Sequence, residues 1–179
     1  ATTASTSVTL AWSAPSSNGG AALTGFLIEK STNALTWSSV ATAAANSTFY
    51  TVGSLSNGTT YIFRIAAQNA VGNSEFVTVS AKPLGGPSAP QNVTASASDG
   101  EFTVSWTPPA TDGGTSITGS ILTISDGTTS ETQTVTGSIT SKTITPFGGV
   151  AIVNGRTFVT YVQASNGIIG TASDTATAI

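Results

Sequence analysis

Eight carboxylates are the side chains best equipped for acid–base or metal chemistry in this sequence: Glu29, Glu75, Asp99, Glu101, Asp112, Asp126, Glu131 and Asp174. Hydrolysis of a glycoside would need two of them facing across a cleft, one with its pKa raised by burial. Most fall instead in turns or on outward strand faces. The chain has no histidine and no cysteine. That removes the usual general base, a Ser–His–Asp triad, thiolate metal sites and any disulfide. No Gly-x-Ser-x-Gly elbow occurs, so the expectation is a non-enzyme without catalytic residues or cofactor. A hard cation is the remaining option. Glu75, Asp99, Glu101 and Asp112 lie on loops or strand ends, and calcium takes such oxygens. Their spacing matches no compact calcium loop, and solvated turn carboxylates are the simpler reading.

Recognition by contact is the other chemistry within reach. Trp37, in "ALTWSSV", lies on an expected short edge strand that would present its ring outward. Tyr161 has the parity opposite to Phe158 and Val162, which makes it a second outward aromatic. On a surface with few charges, such rings suit packing against a protein or a glycan. The expected partners are therefore protein, through self-assembly or neighbouring domains, or a surface glycan. A net charge of −3 and a pI near 4.5 leave no basic footprint for nucleic acid. No apolar run approaches the roughly 18 residues of a membrane helix, so no membrane insertion is expected. Asn46, Asn57 and Asn92 each open an Asn-x-Ser/Thr triplet, which a chain rich in these residues supplies by chance. Arg-Gly-Asp is absent.

The elements that carry these residues can be read from a repeat. "WSAPSSNGGAALTG", from Trp12, returns as "WTPPATDGGTSITG", from Trp106, 94 residues later. The 179 residues are 7% charged, and 58 of them are Ser or Thr; an average soluble domain is roughly 25% charged. The surface must be polar without being ionic. Strand signals dominate: Val8, Leu10 and Trp12 alternate with polar or small neighbours, as do Tyr61, Phe63, Ile65 and Ala67, and Phe102, Val104 and Trp106. Turn clusters such as "SSNGG", "LSNG", "TDGG" and "SDGTT" punctuate them, the pattern of an all-β sandwich. "KPLGGPSAPQNV" breaks the pattern once, where prolines deny ladder hydrogen bonds and glycines permit a turn. The expected organisation is a domain over 1–83, a short Pro/Gly linker over 84–89 and a second domain over 90–179.

These residues resemble the fibronectin type III domain, twice over. The resemblance implies two consecutive immunoglobulin-like sandwiches, with Trp12 and Trp106 in their cores. Leu55, Gly58 and Tyr61 are similar to the family's tyrosine corner, whose phenol bonds back to backbone near Leu55. In the second copy the corner falls on Gly155 and Phe158, an offset of 97 rather than 94, so three residues enter before it, within "TPFGGVAIVNG". Phe158 has no hydroxyl, and Ser120 and Thr160 stand where Phe26 and Phe63 stood. The second domain is expected to pack less well unless Phe147, Val150 or Ile152 folds over the gap. "ATTAST" resembles only the tail of the leading strand that "SAPQNVTASAS" supplies in full, so the native protein is expected to continue upstream. The resemblance is to bacterial or phage surface proteins. It implies a non-catalytic structural or adhesive module on the outside of a cell, at its surface or on a virion, acting as spacer, assembly contact or decoration. The alternative is an accessory module of a secreted polysaccharide-degrading enzyme; a third option is a linkage rigidified by calcium.

Overall fold

The computed structural model describes residues 1–179 and is built of strands and turns, with no helix. The chain divides into Ala1–Leu84 and Gly85–Ile179. In the first unit β1 (Thr2–Ala4), β2 (Ser7–Ala11) and β5 (Phe49–Val52) form one sheet; β4 (Ser38–Ala44), β3 (Leu23–Ser31), β6 (Tyr61–Asn69) and β7 (Val77–Ala81) form the other. The second unit repeats this. Its sheets are β8 (Gln91–Ser98), β9 (Glu101–Thr107) and β12 (Ser141–Ile144), and β11 (Ser130–Thr136), β10 (Gly119–Ser125), β13 (Phe158–Ser165) and β14 (Ile169–Ala172), with β15 (Ala176–Ala178) also paired to β13. Every pairing is antiparallel. Two sheets facing each other bury the apolar parity of each strand and leave hydroxyls on the other.

The register resolves the offset that the sequence shows only as a net figure. Gly25 pairs with Ala44, and Gly119, 94 residues on, pairs with Thr136, only 92 beyond Ala44. Val8 pairs with Val52 and Phe102 with Ile144, the same shift from 94 to 92. The first domain thus has two more residues between these positions than its counterpart, one in the β3–β4 turn, where Lys30 pairs with Ser38 and Ile124 with Glu131, and one in the bulge of the ladder between Ile28 and Glu29. Between Ile144 and the corner the offset rises from 92 to 97, so five residues, not three, enter after β12. One residue of the first change lengthens the turn that carries Trp37; the second change makes the loop that carries Phe147.

The two cores distribute their aromatic side chains differently. In the first, Phe26 and Phe63 are buried, with the Trp12 and Phe26 rings 5.3 Å apart. In the second, Ser120 and Thr160 occupy those positions, both buried, and the Thr160 hydroxyl has no partner. The bulk moves to the corner, where Phe102 stacks on Phe158 at 4.9 Å and Phe147 meets Phe158 edge-on at 5.1 Å. Of the three residues expected to fold over the gap, Phe147 is buried and Ile152 packs on the core, while Val150 is 63% exposed.

The Pro/Gly segment 84–89 is divided between the two units at Leu84 and Gly85. Pro83 is buried and accepts the Gly58 N–H at 2.8 Å, closing the first unit. From Gly85 onward the backbone belongs to the second: Gly85 N–H donates to Gly113 O at 2.9 Å, Ser88 N–H to Thr111 O at 3.0 Å, and Thr171 N–H to Pro87 O at 3.2 Å. Gly113 has φ +76°, and a Cβ there would sit 2.1 Å from Gly85 O. The glycine permits that close approach as well as the turn.

One surface detail recurs in both units. Thr9 and Thr51 share a hydroxyl–hydroxyl hydrogen bond of 2.9 Å, and so do Thr103 and Thr143. Each pair lies directly across its ladder.

Candidate functional site

Neither unit gathers three or more carboxylates into a group able to hold a metal ion. The four residues weighed for calcium have local settings instead. Asp112 caps its own turn, accepting the Gly114 N–H at 2.8 Å, and Asp99 accepts from Asn154 Nδ2 at 3.0 Å. Glu101 lies on β9, and Glu75 stands exposed two residues before β7.

Asp126 has a shifted titration. Its Oδ1 accepts the N–H groups of Thr129 at 2.7 Å and Thr128 at 2.9 Å, and Arg156 pairs with its Oδ2. Hydrogen bonds to the ionised form favour it, so these donors, with a lesser contribution from Arg156, hold the carboxyl down at about 2. A depressed pKa keeps the group a fixed anion, unsuited to donating a proton at neutral pH. Its role is to close the β10–β11 hairpin. Asn33 closes the longer β3–β4 hairpin with a neutral amide, its Oδ1 accepting Leu35 N–H at 2.9 Å and Thr36 N–H at 3.0 Å.

That longer hairpin delivers Trp37, which lies immediately before β4 rather than on it and is half-buried. The Arg64 guanidinium sits 4.2 Å from its ring centroid and 4.1 Å from that of Phe76. Glu29, directly across the β3–β6 ladder, holds the same guanidinium at 2.5 Å. The ring is therefore partly covered by its own cation, and the outer face of this sheet carries an aromatic–guanidinium–aromatic stack edged by a carboxylate. Sequence reading missed Arg64, Phe76 and Glu29. The available signal was parity: Arg64 lies opposite to Phe63 and Ile65 on β6 and must find its partners on the outer face.

Tyr161 is half-buried on the outer face of β13, across from Thr123 on β10. It belongs to the second unit and Trp37 to the first.

The residues assigned to structure behave less uniformly. Leu55 is buried, and the Tyr61 hydroxyl accepts the Ser56 N–H at 3.2 Å. Phe158 is buried without a hydroxyl. Both corners nonetheless keep an asparagine clasp: Asn57 Oδ1 accepts Thr6 N–H at 2.8 Å, and Asn154 Oδ1 accepts Gly100 N–H at 3.1 Å. Asn57 is thereby occupied in the corner. Trp106 is 5% exposed, as expected for a core residue. Trp12 is only half-buried, its Nε1 enclosed without a hydrogen-bond partner, and it lines a groove of about 390 Å³ with Leu10, Phe26, Ile65, Val77 and Val79.

Paired sheets of this strand order, a tyrosine corner and their repetition decide the family, and the description "Fibronectin type III domain" matches residues 1–81 and 88–179. The chain belongs to the fibronectin type III family. It is 35% identical over 178 residues to "Chitinase A1" of Niallia circulans, covering 94% of this chain and 23% of that protein. It is 34% identical over 99 residues to "Titin" of Drosophila melanogaster, covering 55% of this chain and a negligible share of that protein. The chain thus spans under a quarter of the length of either relative. Among solved structures, the chicken CNTN1 FN1–FN3 domains superpose with a TM-score of 0.52 at 22% identity, covering 99% of this chain and 62% of that one. The fibronectin type III pair is shared architecture, and fold does not by itself assign a role.

Proposed function

We propose that this fibronectin type III pair is a non-catalytic structural or adhesive module of an extracellular, cell-surface or particle-surface protein of the bacterial or phage type. The observation that carries the reading is how the ionisable side chains are used. Asp126, Asp112 and Asp99 are spent on turn and loop hydrogen bonds, Glu29 on Arg64, and Glu131 on the Gly148 N–H at 2.8 Å. What faces outward is hydroxyl-rich strand surface with the Trp37 stack in one domain and Tyr161 in the other. Rings partly fixed by their neighbours contact a protein or a sugar at low entropic cost. Electron microscopy of the native source material tests the reading: ordered copies on a filament, lattice or particle are expected, and dispersed monomers would count against an assembly role.

A second reading has its own support. The match to a chitinase runs through both domains, and an accessory module of a secreted polysaccharide-degrading enzyme would carry it. Sedimentation of residues 1–179 with insoluble chitin separates the two readings. Retention that Trp37→Ala abolishes favours the accessory module; passage unbound favours the structural one.

A further inference from the structure

Four asparagines in this chain are followed directly by glycine: Asn18 and Asn57 in the first domain, Asn154 and Asn166 in the second. In such a pair the backbone nitrogen of the glycine can reach the side-chain amide before it, because no Cβ stands in the way. All four glycines have positive φ, from 67° to 99°, so turn geometry does not rank them. The hydrogen bonds do.

Asn57 Nδ2 donates to Ser5 Oγ at 3.2 Å, its Oδ1 accepts the Thr6 N–H at 2.8 Å, and the attacking nitrogen of Gly58 is itself engaged with Pro83 O at 2.8 Å. Asn154 donates from Nδ2 to Asp99 Oδ1 at 3.0 Å and accepts the Gly100 N–H at 3.1 Å. Asn18 and Asn166 share one local turn. In each, Oδ1 accepts the N–H two residues on at 3.0 Å, and the glycine N–H donates to the preceding serine hydroxyl at 3.2 Å. They part at the amide nitrogen. Asn166 Nδ2 donates to Asp112 O at 2.6 Å and to Gly85 O at 2.9 Å, whereas the exposed Asn18 side chain is held only through Oδ1.

We infer that Asn18 is a self-modifying site, at which the folded protein converts asparagine to aspartate and isoaspartate while Asn57, Asn154 and Asn166 stay intact. Gly19 N gives its proton to solvent base and bonds to Asn18 Cγ. The Gly20 N–H, already on Oδ1, meets the negative charge that gathers there. The Cγ–Nδ2 bond breaks and ammonia leaves with a proton from solvent, closing a succinimide ring. Water then opens the ring: cleavage at Cγ yields aspartate, and cleavage at the main-chain carbonyl yields isoaspartate, whose backbone runs through the former side chain. Water is consumed, ammonia is released and nothing is oxidised.

The second domain shows that the aspartate product fits. Asp112 stands 94 residues after Asn18 and accepts the Gly114 N–H at 2.8 Å, as Asn18 accepts that of Gly20. At Asn166 a carboxylate would set oxygen against two carbonyl oxygens and lose both bonds. Asn18 O also accepts Asn69 Nδ2 at 2.7 Å, so isoaspartate, longer by a methylene in the main chain, disturbs a clamp that aspartate leaves alone. Either product puts a carboxylate into a groove of about 410 Å³ that Asn18 lines with Gln68, Asn69 and Asn73. It adds one negative charge to a chain of net −3. The inference rests on neither reading of the function.

Ageing residues 1–179 at mildly alkaline pH tests it, with peptide mapping by mass spectrometry and isoaspartate detection by enzymatic methylation. Asn18 should convert about tenfold or more faster than each of the other three, because the hydrogen bonds holding their amides must first open. Its rate should rise with pH, as Gly19 gives up its proton, and in denaturant the four rates should converge. Asp99→Ala, at an exposed position, removes the acceptor of Asn154 Nδ2. In the folded protein it should raise conversion at Asn154 several-fold and leave Asn18 and Asn166 unchanged. Conversion of Asn18 no faster than the others overturns the proposal. So does the same order of rates surviving in denaturant, or Asn154 staying inert in Asp99→Ala.

Discussion

The first domain keeps its aromatic bulk near Trp12, Phe26 and Phe63, and the second keeps its own near Phe102, Phe147 and Phe158. One fold with the same strand order tolerates either placement, because a sandwich core needs filled volume and imposes no particular layer for its largest side chains. The lesson lies in the compensation. Where the first domain has Phe63 and Phe26 the second has Thr160 and Ser120, and its loop after β12, longer by five residues, supplies the Phe147 ring from outside the strands. The first domain retains the strand aromatics and lacks the loop.

The most severe test of that compensation is Phe147→Ala. Truncating a buried phenylalanine costs about 3–5 kcal/mol, so calorimetry should show the second domain melting far earlier while the transition of the first stays put. A loss below about 1 kcal/mol would mean the loop ring merely decorates the core. Thr160→Val comes next and runs the other way. Its side chain is 0% exposed and its hydroxyl unpaired, so the near-isosteric valine should stabilise the second domain by about 1–2 kcal/mol in chemical denaturation. Tyr61→Phe gives the first domain the corner of the second; losing the hydrogen bond to Ser56 should cost about 0.5–1.5 kcal/mol, and an unchanged denaturation midpoint would show the asparagine clasp to suffice.

Acid offers the gentlest probe. Asp126 closes the second domain's hairpin as an anion with its pKa lowered from 3.8 to about 2, while Asn33 closes the first domain's hairpin without titrating. A depressed carboxyl stabilises the fold fully above its ordinary value, and that contribution is lost as pH falls from 3.8 through about 2. Over that interval the second domain should lose stability through this group, and Asp126→Asn should flatten that part of its pH profile. Parallel profiles for wild type and variant would contradict the assignment.

The repeat, the alternation along β2, β6 and β9 and the Leu55–Gly58–Tyr61 spacing made the two sandwiches legible before any coordinates. They also pointed to Phe147, Val150 or Ile152 as cover for the second core, of which Val150 stays exposed. Three things were hidden, each for a physical reason. A net offset of three concealed a loss of two and a gain of five, because only strand pairing tells where residues enter. The setting of Trp37 depends on Arg64 and Phe76, brought to it by sheet pairing across long stretches of chain. Trp12 reads as core by parity alone. Parity reports which face a residue points to; whether that face is covered depends on the neighbouring strand.

The threonine pairs on the outer faces of the three-stranded sheets suggest how the surface behaves in its surroundings. Thr9 with Thr51, and Thr103 with Thr143, meet through neutral hydroxyls, where many proteins would place ion pairs that weaken as salt rises. Contacts made between neutral hydroxyls hold alike in dilute water and in brine, and between pH 5 and pH 9, because a threonine hydroxyl neither carries charge nor titrates in that range.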